Sequence, residues 1–177
     1  MRTFPCLLVL VVLAGAPAAA ADQVFVQVAS IPGNSTDPAH LSWIDAYAVD
    51  SKVVLPSGGA RATFEDGAFL KGADSASPLL NRAVATGQLF SSVVVDVCRS
   101  GTSGLECYYR ITYENARISG VTTAGSSCVG PGACTPALTE SVTVGYTKIR
   151  WRFTPYSGGT PGTPVERCFD VVANATC

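Results

Sequence analysis

ESVTVGYTKIRWRFTPY, residues 140–156, decides the fold. Val142, Val144 and Tyr146 fall on even positions, and Ile149, Trp151 and Phe153 on odd ones. A period of two marks a strand, and a one-residue slip in that period turns every later side chain to the other face. The spacing therefore predicts a bulge or a change of sheet near Thr147. Strands bent in this way allow a small sheet to curve shut. In the second half Lys148, Arg150 and Arg152 alternate with the apolar residues, giving one basic and one aromatic face. A core face backed by solvent accounts for the alternation. The same three cations are a candidate partner surface, because Arg and Trp are enriched where proteins meet.

Working outward, similar patterns recur on both sides. SSVVVDVC (91–98) and CYYRITYENARISGV (107–121) read as a hairpin with a long second arm, Tyr109, Ile111 and Tyr113 sharing one face. QVFVQV (23–28) is a strand with Val24, Val26 and Val28 on one side, and His40 to Val54 resumes an extended pattern. A glycine-rich excursion over 55–62 leads to a short strand. SGGTPGTP (157–164) is a turn, and VERCFDVV (165–172) a last strand. Short strands separated by Gly/Pro turns predict a mainly β sandwich or barrel. One stretch breaks the rule. SPLLNRAVATGQ (77–88) reads as a helix over about 77–86, with Ser77 as cap, Pro78 in the first turn and Gly87 as terminator.

The chain has 177 residues, and its start reads as a secretory signal over 1–21: Arg2, the apolar run Leu7 to Ala14, then small residues before Asp22. The run is short of the ~20 residues that span a bilayer, so no membrane insertion is expected after cleavage. Residues 22–177 then form a single domain, exported to a periplasmic or extracellular space. Arg2 leaves with the signal, so one of 12 basic residues is lost and all 13 acidic ones stay. Neither sign forms a run, which argues against nucleic acid as a partner.

Of seven cysteines Cys6 leaves with the signal, and Cys98, Cys107, Cys128, Cys134, Cys168 and Cys177 remain. An even count in an exported chain points to disulfides, with fifteen pairings open in principle. Cys98 with Cys107 and Cys128 with Cys134 bracket short turn-rich segments, Cys168 and Cys177 bracket the last strand and the terminus, and neighbour pairing is expected. A zinc site finds no support, since CxxC pairs and Cys/His clusters are absent from the sequence. His40 is the only histidine and reads as a solvated loop residue. Without a GxSxG elbow it lacks the context of a triad. Asp37, Asp45 and Asp50 lie near it in sequence, but strand spacing scatters them over different faces. The glycine-rich stretches lack the lysine of a phosphate loop. No catalytic, cofactor-binding or metal residue is expected.

In order along the chain, the IPGNSTD turn, the Ser77-Pro78-Leu79-Leu80 helix entry, the Glu140-Ser141-Val142 strand start and the slip near Thr147 resemble the Hcp family. These are the haemolysin-coregulated proteins of the bacterial type VI secretion tube. The resemblance implies an antiparallel two-sheet β-barrel with a lone helix packed on its side, and no enzymatic activity. It also implies self-association into a ring, a hexamer, that stacks into a tube and meets secretion-apparatus or effector proteins. The 55–62 excursion is, by position, the candidate ring-to-ring contact. The signal and the cysteines depart from members that assemble in the cytoplasm. A monomeric exported binding module on the same barrel is the alternative, because fold does not settle function.

Overall fold

The structure, a computed structural model, describes residues 22–126 and 137–177. The proposed signal and the Cys128–Cys134 pairing lie outside them. The strands are β1 (Gln23–Val28), β2 (Ile44–Asp50), β3 (Val53–Val54), β4 (Thr63–Phe64) and β5 (Gly67–Gly72). Helix α1 (Ser77–Thr86) follows, then β6 (Leu89–Gly101), β7 (Gly104–Ser126), β8 (Ala137–Gly145) and β9 (Lys148–Phe153). The last elements are β10 (Tyr156–Ser157), β11 (Thr160–Pro161), β12 (Val165–Asp170) and β13 (Ala175–Thr176).

All pairings are antiparallel. The order β1-β2-β5-β8-β7-β6 returns to β1, so the sheet closes into a barrel. The first half of β7 pairs with β9 on the side away from β6, and β9 carries β12 and β13. This three-strand extension is called the flap below. The mainly β barrel with one short helix is the architecture expected from the sequence.

The barrel is filled by the inward positions of its strands. Val24, Val26, Val93, Val95, Ile111, Tyr113, Val142, Val144 and Ile149 are all buried in one core. Burying an aliphatic side chain of this kind contributes about 1.5–3 kcal/mol. The slip at Thr147 is real, and it is matched across the sheet. Tyr113 pairs with Ile149, and Ile118 with Val144, with no change of register between them. The buried positions of β7 change from Ile111 and Tyr113 to Ala116 and Ile118. The flip occurs around Asn115, which adopts φ 49°, a left-handed conformation that Asn tolerates better than most residues. Both strands turn over together, and the barrel acquires a corner. At this corner Tyr146 packs 4.8 Å from Tyr113. Burial, with Tyr113 and Asp66 nearby, pushes its phenol up to about 12.

Helix α1 spans the predicted residues, and Leu80 and Ala83 bury its inner side. Gly87 ends it at φ 63°, where its N–H donates to Val84 O and that of Gln88 to Ala83 O. The cap differs from expectation. Ala76 is the N-cap, and Ser77 is already inside the helix. Its hydroxyl is taken by partners outside the helix, as described below. Two other readings change. His40 to Trp43 form a turn rather than the start of a strand, and 157–164 contains all of the small β10–β11 hairpin except Tyr156.

Candidate functional site

Two buried polar centres and one surface strip carry the chemistry of the described residues. The first centre is built on Lys71, whose side chain is fully buried in β5. Its Nζ lies 2.7 Å from Asp74 Oδ1, 2.8 Å from Glu140 Oε2 and 3.0 Å from Ser77 Oγ. An ammonium has three N–H donors, and all three have acceptors. Ser77 Oγ also donates to Glu140 Oε2 at 2.6 Å and accepts the Asp74 N–H at 3.0 Å. Burial pushes the Glu140 carboxyl up, but hydrogen bonds from Lys71 and Ser77 and the Lys71 charge outweigh it. Its pKa sits below the ordinary value. The helix entry is thereby fastened to β5 and β8. Next to it Ser75 Oγ donates to Asn34 Oδ1 at 2.6 Å, which brings in the IPGNSTD turn. Three motifs far apart in sequence meet at one place.

The second centre surrounds His40, and here the sequence reading fails. His40 is 3% exposed, not solvated. Its ring stacks on Phe25 with centroids 4.1 Å apart and meets Trp43 edge-on at 4.9 Å. Nδ1 lies 2.7 Å from Asp37 Oδ1, and Nε2 lies 3.1 Å from Asp96 Oδ2. Asp37 also accepts the Ala39 N–H at 3.0 Å, a side-chain turn that sets the loop around the histidine. Burial raises the Asp37 carboxyl, but His40 and the backbone amides hold it below the usual value. Asp96, itself buried, takes Arg110 through Nε and Nη2, both at 2.6 Å. The structure thus joins Asp37 to His40 and leaves Asp45 and Asp50 exposed on β2. Asp96 was not legible as a partner, because it lies 56 residues from His40.

Cys98 and Cys107 form a disulfide across the β6–β7 pair, and Cys168 and Cys177 form another from β12 to the chain end. Both pairings are the neighbour pairings expected. Cys107 Sγ lies 3.7 Å from His40 Nε2. Among the described residues His40, Cys98 and Cys107 are the one group of three metal-type ligands, within 4.8 Å of one another. Both sulfurs are already spent on their mutual bond.

The surface strip is β9. Lys148 Nζ lies 3.7 Å from Asp170, and Arg150 binds both Glu114 at 3.1 Å and Glu166 at 2.9 Å. Arg152 is exposed and, among the described residues, has no carboxylate at ion-pair distance. On the strip's other side Phe153 faces its register partner Val165, and both are exposed. A separate exposed apolar set, Tyr47, Leu70 and Leu138, lies on the neighbouring barrel strands β2, β5 and β8. The 55–62 excursion is the connection of the β3–β4 hairpin and includes exposed Leu55.

Comparison with known proteins accounts for this architecture. The family described as "Type VI secretion system effector, Hcp" matches residues 25–153. Protein hcp1 of Pseudomonas aeruginosa is 23% identical over 161 residues, 85% of this chain and 96% of that protein. A solved type six secretion system protein superposes with a TM-score of 0.77 at 18% identity, over 89% of this chain and 100% of its own. Hcp1 from Salmonella typhimurium gives 0.72 at 20% identity, over 89% and 99%.

Proposed function

The chain belongs to the Hcp family of type VI secretion proteins, and on that premise we propose that it is a non-enzymatic tube-type protein that closes into a ring, a hexamer. A ring with rotational symmetry needs two different surfaces on each subunit, one head and one tail. The carrying observation is that this chain exposes two separate apolar sets, Tyr47 with Leu70 and Leu138 on the barrel, and Phe153 with Val165 on the flap. Docking one set on the other would cover both. Lys148, Arg150 and Arg152 form the polar rim of that contact in this reading, with Arg152 bringing the one charge of the strip that has no carboxylate at ion-pair distance among the described residues. Ring-to-ring stacking is assigned to the 55–62 connection, and effector or apparatus proteins are the partners. The mature domain begins at Asp22 and is exported to a periplasmic or extracellular space, where both disulfides persist.

Light scattering of the exported protein, with negative-stain images of the peak, tests this reading. A sixfold mass or visible rings supports it. A clean monomer at high concentration overturns it and leaves the exported binding module. Substituting Tyr47→Asp should lower the mass toward the monomer while leaving the melting temperature within a few degrees. N-terminal sequencing that begins near Asp22 supports the export signal, and an intact Met1 in the exported protein removes it.

A further inference from the structure

The Cys98–Cys107 disulfide is set in surroundings that a purely structural cross-link does not require. Cys98 is fully buried, whereas Cys107 is half-buried and lines an open cavity of about 270 Å³. Arg110 and Arg152 line the same cavity, with Thr154 and Tyr156. The two arginines are direct cross-strand partners on β7 and β9. Like charges placed opposite one another repel unless an anion lies between them. Asp96, which lines the cavity with them, answers Arg110, and Arg152, whose register partner on β12 is Glu166, has no carboxylate within ion-pair distance among the described residues. Behind the sulfurs stands His40, with Nδ1 on Asp37 and Nε2 on Asp96 and 3.7 Å from Cys107. Both ring nitrogens face carboxylate oxygens, an arrangement that an imidazolium, donating at both, satisfies in full.

We propose that Cys107 is a thiol-exchange site that accepts an anionic low-molecular-weight thiol from this cavity. Arg152 and Arg110 draw in the carboxylates of the thiol. Its thiolate attacks Cys107 Sγ, the sulfur reached from the cavity, and forms a mixed disulfide there. The Cys98–Cys107 bond breaks, and its electron pair goes to Cys98 Sγ. His40 supplies a proton to that sulfur, whose thiolate would otherwise be left buried away from water. The ring is left neutral, still donating to Asp37 through Nδ1. One disulfide is exchanged for another, Cys98 becomes a thiol, and no outside oxidant is consumed. A second thiolate attacking the sulfur of the adduct releases Cys107 and completes reduction.

The test uses the folded, oxidised chain with glutathione and with cysteamine, an anionic and a cationic thiol, at equal thiolate concentration. Adducts are located by mass spectrometry of acid-quenched peptides. The expected result is an adduct on Cys107 rather than Cys98, formed about tenfold faster with glutathione, the low end of electrostatic steering. Arg152→Gln should bring that ratio to about one without changing the ratio at Cys168 and Cys177. His40→Gln should slow both thiols alike at Cys107. If that variant fails to fold, the Arg152→Gln ratio decides alone. Equal rates for the two thiols in the unmodified chain, an adduct on Cys98, or a ratio indifferent to Arg152→Gln overturns the proposal. So does the lack of any Cys107 adduct below the unfolding temperature.

Discussion

The barrel and the flap contain the same kinds of cross-link in opposite settings. Among the described residues each has one disulfide with a sequence separation of 9. Each also has ion pairs between neighbouring strands. In the barrel, Lys71 and Glu140 are 0% and 3% exposed, while in the flap Arg150 and Glu166 are 38% and 39% exposed. Cys98 and Cys107 join paired strands beside the buried His40, and Cys168 is tied to the chain end. Equal loops remove about the same entropy from the unfolded chain, about 2.5 kcal/mol each in the loop-closure picture. Whatever differs between the two bonds must come from packing. A bond or ion pair therefore has no fixed worth, and its worth is set by what loses water when it forms.

The largest effect expected is at Lys71. Replacing it by Met leaves the buried Glu140 and the partly buried Asp74 without their cation, which costs about 3–5 kcal/mol. Chemical denaturation should show this as a lower midpoint. A loss below 1 kcal/mol would mean that the barrel pair behaves like a surface pair, and the contrast with the flap would fail.

Next come the disulfides. Replacing both Cys98 and Cys107 by Ala should cost about 4 kcal/mol, because loop closure and packing against His40 are lost together. The same change at Cys168 and Cys177 should cost about 2.5 kcal/mol, the loop-closure share alone. Equal losses would show that the surroundings of His40 add nothing to stability.

Acid should separate the two regions further. The Glu140 pKa is lower in the folded chain than its ordinary 4.5. Its contribution is therefore fully present above that pH and is lost as the pH falls through the depressed folded value. Melting temperature should drop more steeply between pH about 5 and 3 in the parent chain than in Glu140→Gln, which starts lower and changes less. Asp37, lowered in the same direction, leaves some slope in the variant. Parallel curves would remove Glu140 as the source. The smallest effect is expected for Glu166→Gln in the flap, less than about 1 kcal/mol and shrinking with salt.

Local patterns carried much of the fold. The helix was legible because Pro78 and Gly87 act on the backbone of their own turn. The corner was legible because an alternation of two shows any slip within a few residues. The cap was misread at Ser77 for a tertiary reason: its hydroxyl has Glu140 and Lys71 within reach, and those partners displace the local one. The matching flip at Asn115 went unread although the burial of Ala116 and Ile118 shows it clearly. Beyond the flip the strand's apolar marks begin with Ala116 and Ile118 and then Val121 on the other parity, too few in one phase to announce a change. Of the candidate site, the alternation of Lys148, Arg150 and Arg152 along β9 was legible. The acids that occupy the first two come from β7 and β12 and could not be foreseen.

The sequence by itself determined the main strands, the helix bounds and the corner, and it pointed to the neighbour pairing of Cys98 with Cys107 and of Cys168 with Cys177. These depend on contacts between residues close in the chain, where spacing and residue type act directly. Only the tertiary structure decided that His40 is enclosed by Asp37, Asp96 and Phe25, and that Lys71, Ser77 and Glu140 share one buried site. Those charges are held by partners 56 and 69 residues away. A carboxylate that loses water needs a donor wherever the closing barrel brings one, and sequence distance has no part in that choice.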